Sequence, residues 1–132
     1  MRRKNIFLII FVFFLVSCSQ NEHKAETPPP ISSKVQGETP AEHSKGEELF
    51  LKNCALCHGE RGKGTDRGPS FLSPIYHPNH HGDESFLLAA RNGARAHHWQ
   101  FGDMPPVPGV NEEEVRQIVG YVRWLQRENK IY

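Results

Sequence analysis

The chain has 132 residues, 37% of them apolar, with 16 Lys and Arg facing 15 Asp and Glu. That length fits one ordinary domain, and the near-zero charge balance excludes nucleic-acid binding driven by a basic surface. Three cysteines exclude a multi-disulfide framework. In chain order, Arg2, Arg3 and Lys4 precede an unbroken apolar run over residues 6–16, which ends in Leu15-Val16-Ser17-Cys18. A bilayer span needs roughly twenty residues at about 1.5 Å each, so this run is too short to cross. A basic start, a short apolar stretch and small residues after it read as an export signal over residues 1–17; the alternative is a buried helix or strand.

The Leu15-Val16-Ser17-Cys18 ending resembles the lipobox of bacterial lipoproteins. The resemblance implies that Cys18 is lipid-modified and becomes the new N-terminus, placing the protein outside the cytoplasm on the periplasmic or cell-surface side of a bacterial membrane. An ordinary cleaved signal with a free Cys18 is the alternative. Two or three acyl chains would hold firmly, since each buried methylene contributes about 0.8 kcal/mol and a single chain is marginal. Residues 19–42 contain four prolines and only Ala25, Ile31, Val35 and Ala41 from the apolar set. Such a segment cannot bury enough surface to offset its ordering entropy, so residues 18–42 read as the lipidated cysteine plus a disordered, Pro-rich tether.

Residues 43–132 form the folded domain, balanced at 11 positive and 11 negative side chains. Three helices are predicted. The first starts at Ser44-Lys45-Gly46-Glu47, a capping box with Ser44 as cap and Glu47 reaching back, and runs through Leu49 and Phe50 into Cys54. The second begins at Asp83, carries Phe86 to Ala90 and ends near Gly93. The last has Asn111 as N-cap and Glu112 to Glu114 in its positive first turn, then Val115, Ile118, Val119, Val122 and Leu125 at helical spacing. Gly and Pro mark residues 59–79 and 102–109 as loops. With no period-two alternation, the fold class is all-α.

Cys54-Ala55-Leu56-Cys57-His58 is a C-x-x-C-H run, the attachment signal for c-type haem. Each thiol adds to one haem vinyl group, and the adjoining His58 then supplies an axial nitrogen to the iron. A redox dithiol, a disulfide or a zinc site completed by His77, His80 and His81 is the alternative. Met1 leaves with the signal, so Met104 is the remaining thioether. It sits in Gly102-Asp103-Met104-Pro105-Pro106, a restrained loop suited to ligation, although filling a core gap is the commoner use of methionine.

With these features in one order, the domain resembles a class I cytochrome c, with one covalent haem c held by two thioethers and its N- and C-terminal helices crossing. The resemblance implies iron ligation by His58 and Met104 and close crossing of Gly46 and Phe50 with Ile118 and Tyr121. It further implies a Gly68-Pro69 loop whose Pro69 carbonyl accepts from His58 Nδ1–H, and Phe71 or Leu72 against the haem. The departure is the stretch from Tyr76 to Trp99, with His77, His80, His81, His97 and His98. These are read as solvated or haem-edge groups, as a copper or zinc site, or as a source of the distal ligand. Trp99 is expected near the haem, with Arg91 or Arg95 beside a propionate.

The expected function is single-electron shuttling by a membrane-tethered, monomeric cytochrome between extracytoplasmic redox proteins, membrane oxidoreductases among them, with no nucleic-acid partner. The protein part positions the haem and is not expected to be an enzyme. A haem enzyme or sensor with an open or His-ligated sixth position, or a metal-handling module, is the alternative.

Overall fold

A computed structural model describes residues 37–132; the expected export signal, Cys18 and the expected tether up to residue 36 lie outside the described residues. Four helices follow one another: α1 (Ala41–Asn53), α2 (Ala55–His58), α3 (Asp83–Asn92) and α4 (Glu112–Glu128). Two 3-10 turns, Glu60–Gly62 and Pro74–Tyr76, interrupt the long connection between α2 and α3. The described residues are all-α, with one isolated antiparallel bridge between Ala94 and Met104.

Helix α1 corrects the expected start. Its N-cap is Pro40, and His43 N–H bonds to the Pro40 carbonyl at 2.8 Å, so the first turn closes before Ser44 is reached. Ser44 is inside the helix, where its hydroxyl donates back to the Ala41 carbonyl at 2.8 Å. Glu47 makes no capping box; its carboxylate accepts from the Tyr121 hydroxyl at 3.1 Å. The helix therefore takes in Ala41 and Glu42, which the composition had assigned to the tether.

Helix α3 runs from Asp83 and ends at Gly93, as its sequence indicated. Helix α4 has the stronger start: Asn111 Oδ1 accepts from Glu114 N–H and Glu114 Oε2 accepts from Asn111 N–H, each at 2.9 Å. This satisfies two orphan donors at once.

The crossing of α1 and α4 organises the domain. A Cβ placed on Gly46 would run into the Gln117 carbonyl and lie 2.9 Å from Tyr121 Cβ, so only glycine permits this approach. One turn on, the Phe50 and Tyr121 rings meet at 5.5 Å. Leu49, Phe50, Phe71, Ile118, Tyr121, Val122, Trp124 and Leu125 form the main core, and Leu87, Val115 and Val119 join α3 to α4. Each fully buried large apolar side chain contributes about 1.5–3 kcal/mol.

Helix α4 also buries Arg123 and Gln126. Arg123 Nε donates to Asp83 Oδ1 at 2.7 Å, Nη1 to the Tyr76 carbonyl at 2.7 Å and Nη2 to the His81 carbonyl at 2.5 Å. Gln126 Oε1 accepts from Arg123 Nη1 at 2.7 Å, while its Nε2 donates to the Phe71 carbonyl at 2.8 Å. One face of α4 thus holds the whole 71–81 connection by its backbone.

Candidate functional site

The C-x-x-C-H run occupies the turn between α1 and α2 and all of α2. Cys54 caps α2 with φ −124°, which breaks α1, and His58 is its last residue, 7% exposed. The following loop folds back and bonds to it. Gly64 N–H reaches the His58 carbonyl at 2.6 Å, Thr65 Oγ donates to the Cys57 carbonyl at 2.5 Å, and Phe71 N–H donates to the Gly62 carbonyl at 2.8 Å. Gly68 lies so close that an added Cβ would be 2.9 Å from the Cys57 carbonyl oxygen. That closeness brings Pro69 to His58, whose Nδ1–H donates to the Pro69 carbonyl at 3.0 Å. A carbonyl can only accept, so the bond fixes the tautomer and leaves Nε2 as the lone-pair nitrogen.

Burial lowers the His58 pKa below the ordinary histidine value, with the Pro69 hydrogen bond opposing, and so favours the neutral imidazole that binds metals. Burial, with the Cys57 sulfur beside it, pushes the Cys54 thiol up to about 11. Phe71 stacks on the His58 ring at 4.1 Å and is the more buried of the two side chains expected here; Leu72 is partly buried.

Met104 is held by its backbone. Its N–H and carbonyl pair with Ala94 at 2.8 and 3.0 Å, and Val107 N–H bonds to the Ala90 carbonyl at 2.8 Å. Gly93, at φ +77°, lets the end of α3 lie against this loop; a Cβ there would be 2.5 Å from the Met104 carbonyl.

Cys54, Cys57, His58, Pro69 and Met104 line one cavity of about 540 Å³, a size in the range of cofactor sites. Trp99 and Arg95 also line it, whereas Arg91 is not among its lining residues. The rest of the wall is largely apolar, with Phe71, Phe86, Val115 and Ile118 prominent. An apolar slot carrying two thiols, an oriented imidazole and a thioether fits haem c, which needs thioether attachment, axial ligands and exclusion of water.

The histidine-rich stretch separates into two parts. His77 turns away: its Nδ1 accepts from Asn79 N–H at 3.1 Å and its ring lies 5.5 Å from that of Tyr132. His77 is therefore not in the cluster with His80 and His81 that the sequence suggested. His98 takes its place, bringing ligand nitrogens of His80, His81 and His98 within 4.8 Å of one another.

A cytochrome c family model matches residues 43–126, most of the described domain. The chain belongs to the cytochrome c family. The cytochrome is 31% identical over 85 residues to FixP, a cbb3-type cytochrome c oxidase subunit of Bradyrhizobium diazoefficiens, covering 62% of this chain and 27% of that protein. It is 56% identical over 35 residues to the FixP subunit of Azorhizobium caulinodans, covering 26% of this chain and 12% of the relative. The chain thus spans well under a third of either relative. No solved structure matches it. With a single C-x-x-C-H run it is a monohaem c-type cytochrome, and its cofactor is covalently bound haem c.

Sequence reasoning missed Tyr76, Phe86 and Val110 as cavity residues, and Arg123 and Gln126 as the supports of the wall. Arg123 and Gln126 did carry a signal: with Val119 they fall at i, i+4 and i+7 on the buried stripe of α4.

Proposed function

We propose that Cys54 and Cys57 attach the haem and that His58 and Met104 are its axial ligands, making the domain a low-spin, one-electron carrier. The observation that carries this reading is that the two thiols, the Pro69-oriented imidazole and the sole thioether of the described residues line one apolar cavity. When bound, the haem supplies an Fe(III)/Fe(II) couple. The chain's own part is to bind and position it: Pro69 sets the His58 ring, Phe71 packs that ring, and the Ala94 pairing holds Met104 in register. A thioether opposite an imidazole raises the potential and suits electron transfer.

The cytochrome works outside the cytoplasm as a monomer, held to the membrane through a lipid on Cys18 and the tether of residues 19–42. Support comes from the short apolar run before Cys18; among the described residues no helix is long and apolar enough to cross a membrane. Its electron partners are membrane oxidoreductases; the FixP relatives are named as subunits of a cbb3-type cytochrome c oxidase, which supports an oxidase as one such partner. The deciding experiment is the absorption spectrum of the purified protein, oxidised, reduced and as the alkaline pyridine derivative. A c-type pyridine spectrum and a near-infrared sulfur-to-iron band lost in Met104→Ala are expected. Absence of that band, with ready carbon monoxide binding, would replace this reading with an open sixth position. Cys18→Ser should release the cytochrome from the membrane fraction.

A further inference from the structure

Two loops separated in sequence by α3 meet at the rim of the haem cavity. His80 and His81 come from the turn after Pro74–Tyr76, and His98 from the connection between α3 and Met104. His80 Nε2 and His98 Nε2 are 3.1 Å apart, and one ligand nitrogen from each of the three rings lies within 4.8 Å of the others. His97 packs on the same group, 4.3 Å from the His98 ring and 5.7 Å from that of His81. No carboxylate or thiolate belongs to the group, and two acidic residues in the adjoining segments have partners elsewhere: Asp83 accepts from Arg123, and Asp103 Oδ1 accepts from Ala96 N–H at 2.9 Å. The cluster is therefore built of imidazoles.

The ring positions are set from behind. His81 Nδ1–H donates to the Ile75 carbonyl at 2.8 Å, which leaves Nε2 with its lone pair. The N–H groups of both His80 and His81 bond to the His77 carbonyl, at 2.8 and 2.9 Å. The buried Arg123 guanidinium holds the His81 carbonyl. A histidine whose far nitrogen is fixed by a backbone carbonyl is the usual support of a metal ligand.

We propose that His80, His81 and His98 bind one late first-row divalent cation, Cu²⁺ or Zn²⁺, with water completing its coordination. Metal–nitrogen bonds of about 2.0–2.1 Å place tetrahedral ligand nitrogens about 3.3 Å apart, so the observed group needs only small ring rotations to close. An all-imidazole set without carboxylate or thiolate excludes Ca²⁺ and Mg²⁺ sites and favours Cu²⁺ over Zn²⁺ in affinity. Because His81 and His98 also line the haem cavity, the ion would sit at the wall of that cavity. Added positive charge there favours the less positive iron state, so metal binding raises the reduction potential, and by linkage the reduced protein binds the metal more tightly.

The test uses holocytochrome freed of loosely held metal with a chelator and titrated with Cu²⁺ and, separately, Zn²⁺, reading stoichiometry by calorimetry and elemental analysis. One equivalent per chain is expected, with a nitrogen-coordinated Cu²⁺ paramagnetic resonance signal. Affinity should fall at least about tenfold in His80→Ala and in His98→Ala and stay unchanged in His77→Ala. The haem spectrum should be the same in the His77 and His80 variants, since neither residue lines the cavity. Zn²⁺ should move the potential upward in the parent and leave it unmoved in the His80/His98 double variant. Sub-stoichiometric binding, or binding that survives the double variant, would overturn the site. A haem spectrum altered by His98→Ala in metal-free protein would instead make that histidine a haem ligand. The metal titration reads the cluster independently of whether Met104 ligates the iron, so failure of either reading leaves the other standing.

Discussion

The two sides of the haem cavity are built differently. The His58 side is a self-bonded unit around a buried imidazole: Gly64 N–H, the Thr65 hydroxyl and the Pro69 carbonyl tie residues 62–71 to the C-x-x-C-H turn, and glycines at 64 and 68 allow backbone to touch backbone. On the Met104 side, residues 95–103 are mostly exposed and are fastened chiefly by the Ala94 bridge and the Asp103 side chain. The lesson is a division of labour. A rigid wall fixes the attachment and one ligand, while a lightly held wall presents the other ligand and the histidine cluster at the surface.

The largest effect should come from breaking the rigid wall. His58→Ala should abolish the low-spin haem spectrum and most of the holoprotein yield, because attachment and axial ligation meet at that turn. Gly46→Val strikes the α1–α4 crossing behind it and should destabilise the domain by about 3 kcal/mol or more, read by denaturant titration of the holoprotein. Arg123→Met leaves the His81 carbonyl and Gln126 Oε1 without their donor and the Tyr76 carbonyl with only the 3.5 Å bond from Gln126 Nε2, and should cost about 2–4 kcal/mol.

Gly93→Ala sharpens the comparison from the other side. A strained φ of +77° and a Cβ against the Met104 carbonyl should cost about 1–3 kcal/mol. That loss should appear first as weakening of the sulfur-to-iron band, with the haem still attached. An equal loss of haem would show the two walls to be one cooperative unit.

The smallest effect is at high pH. Burial pushes Tyr76 up to about 12 from an ordinary 10.0, and burial with the Glu47 carboxylate raises Tyr121 further. The folded state therefore favours the protonated phenols. Their contribution is intact below about pH 10 and is lost as pH rises through the raised values. Tyr76→Phe should flatten the fall in stability between about pH 10 and 12 in a denaturation series.

The local chemistry was legible because it is local. The C-x-x-C-H spacing, Asn111 before three glutamates, Gly93 at a helix end and the apolar spacing of α4 each act within one or two turns of chain, and all appear where the sequence put them. The misplaced start of α1 shows the limit of the same logic. Ser44 and Glu47 satisfy a local rule, but Pro40 already closes the first turn and Tyr121, 74 residues away, takes the carboxylate. The position of Arg123 and Gln126 on the buried stripe of α4 was legible, but tertiary structure alone decided that they hold the 71–81 backbone and that His98, not His77, joins His80 and His81. The physical reason is the same in each case: a hydrogen bond or a shared ligand geometry between distant segments depends on how helices cross, and the crossing is set by packing against a glycine rather than by any pattern along the chain.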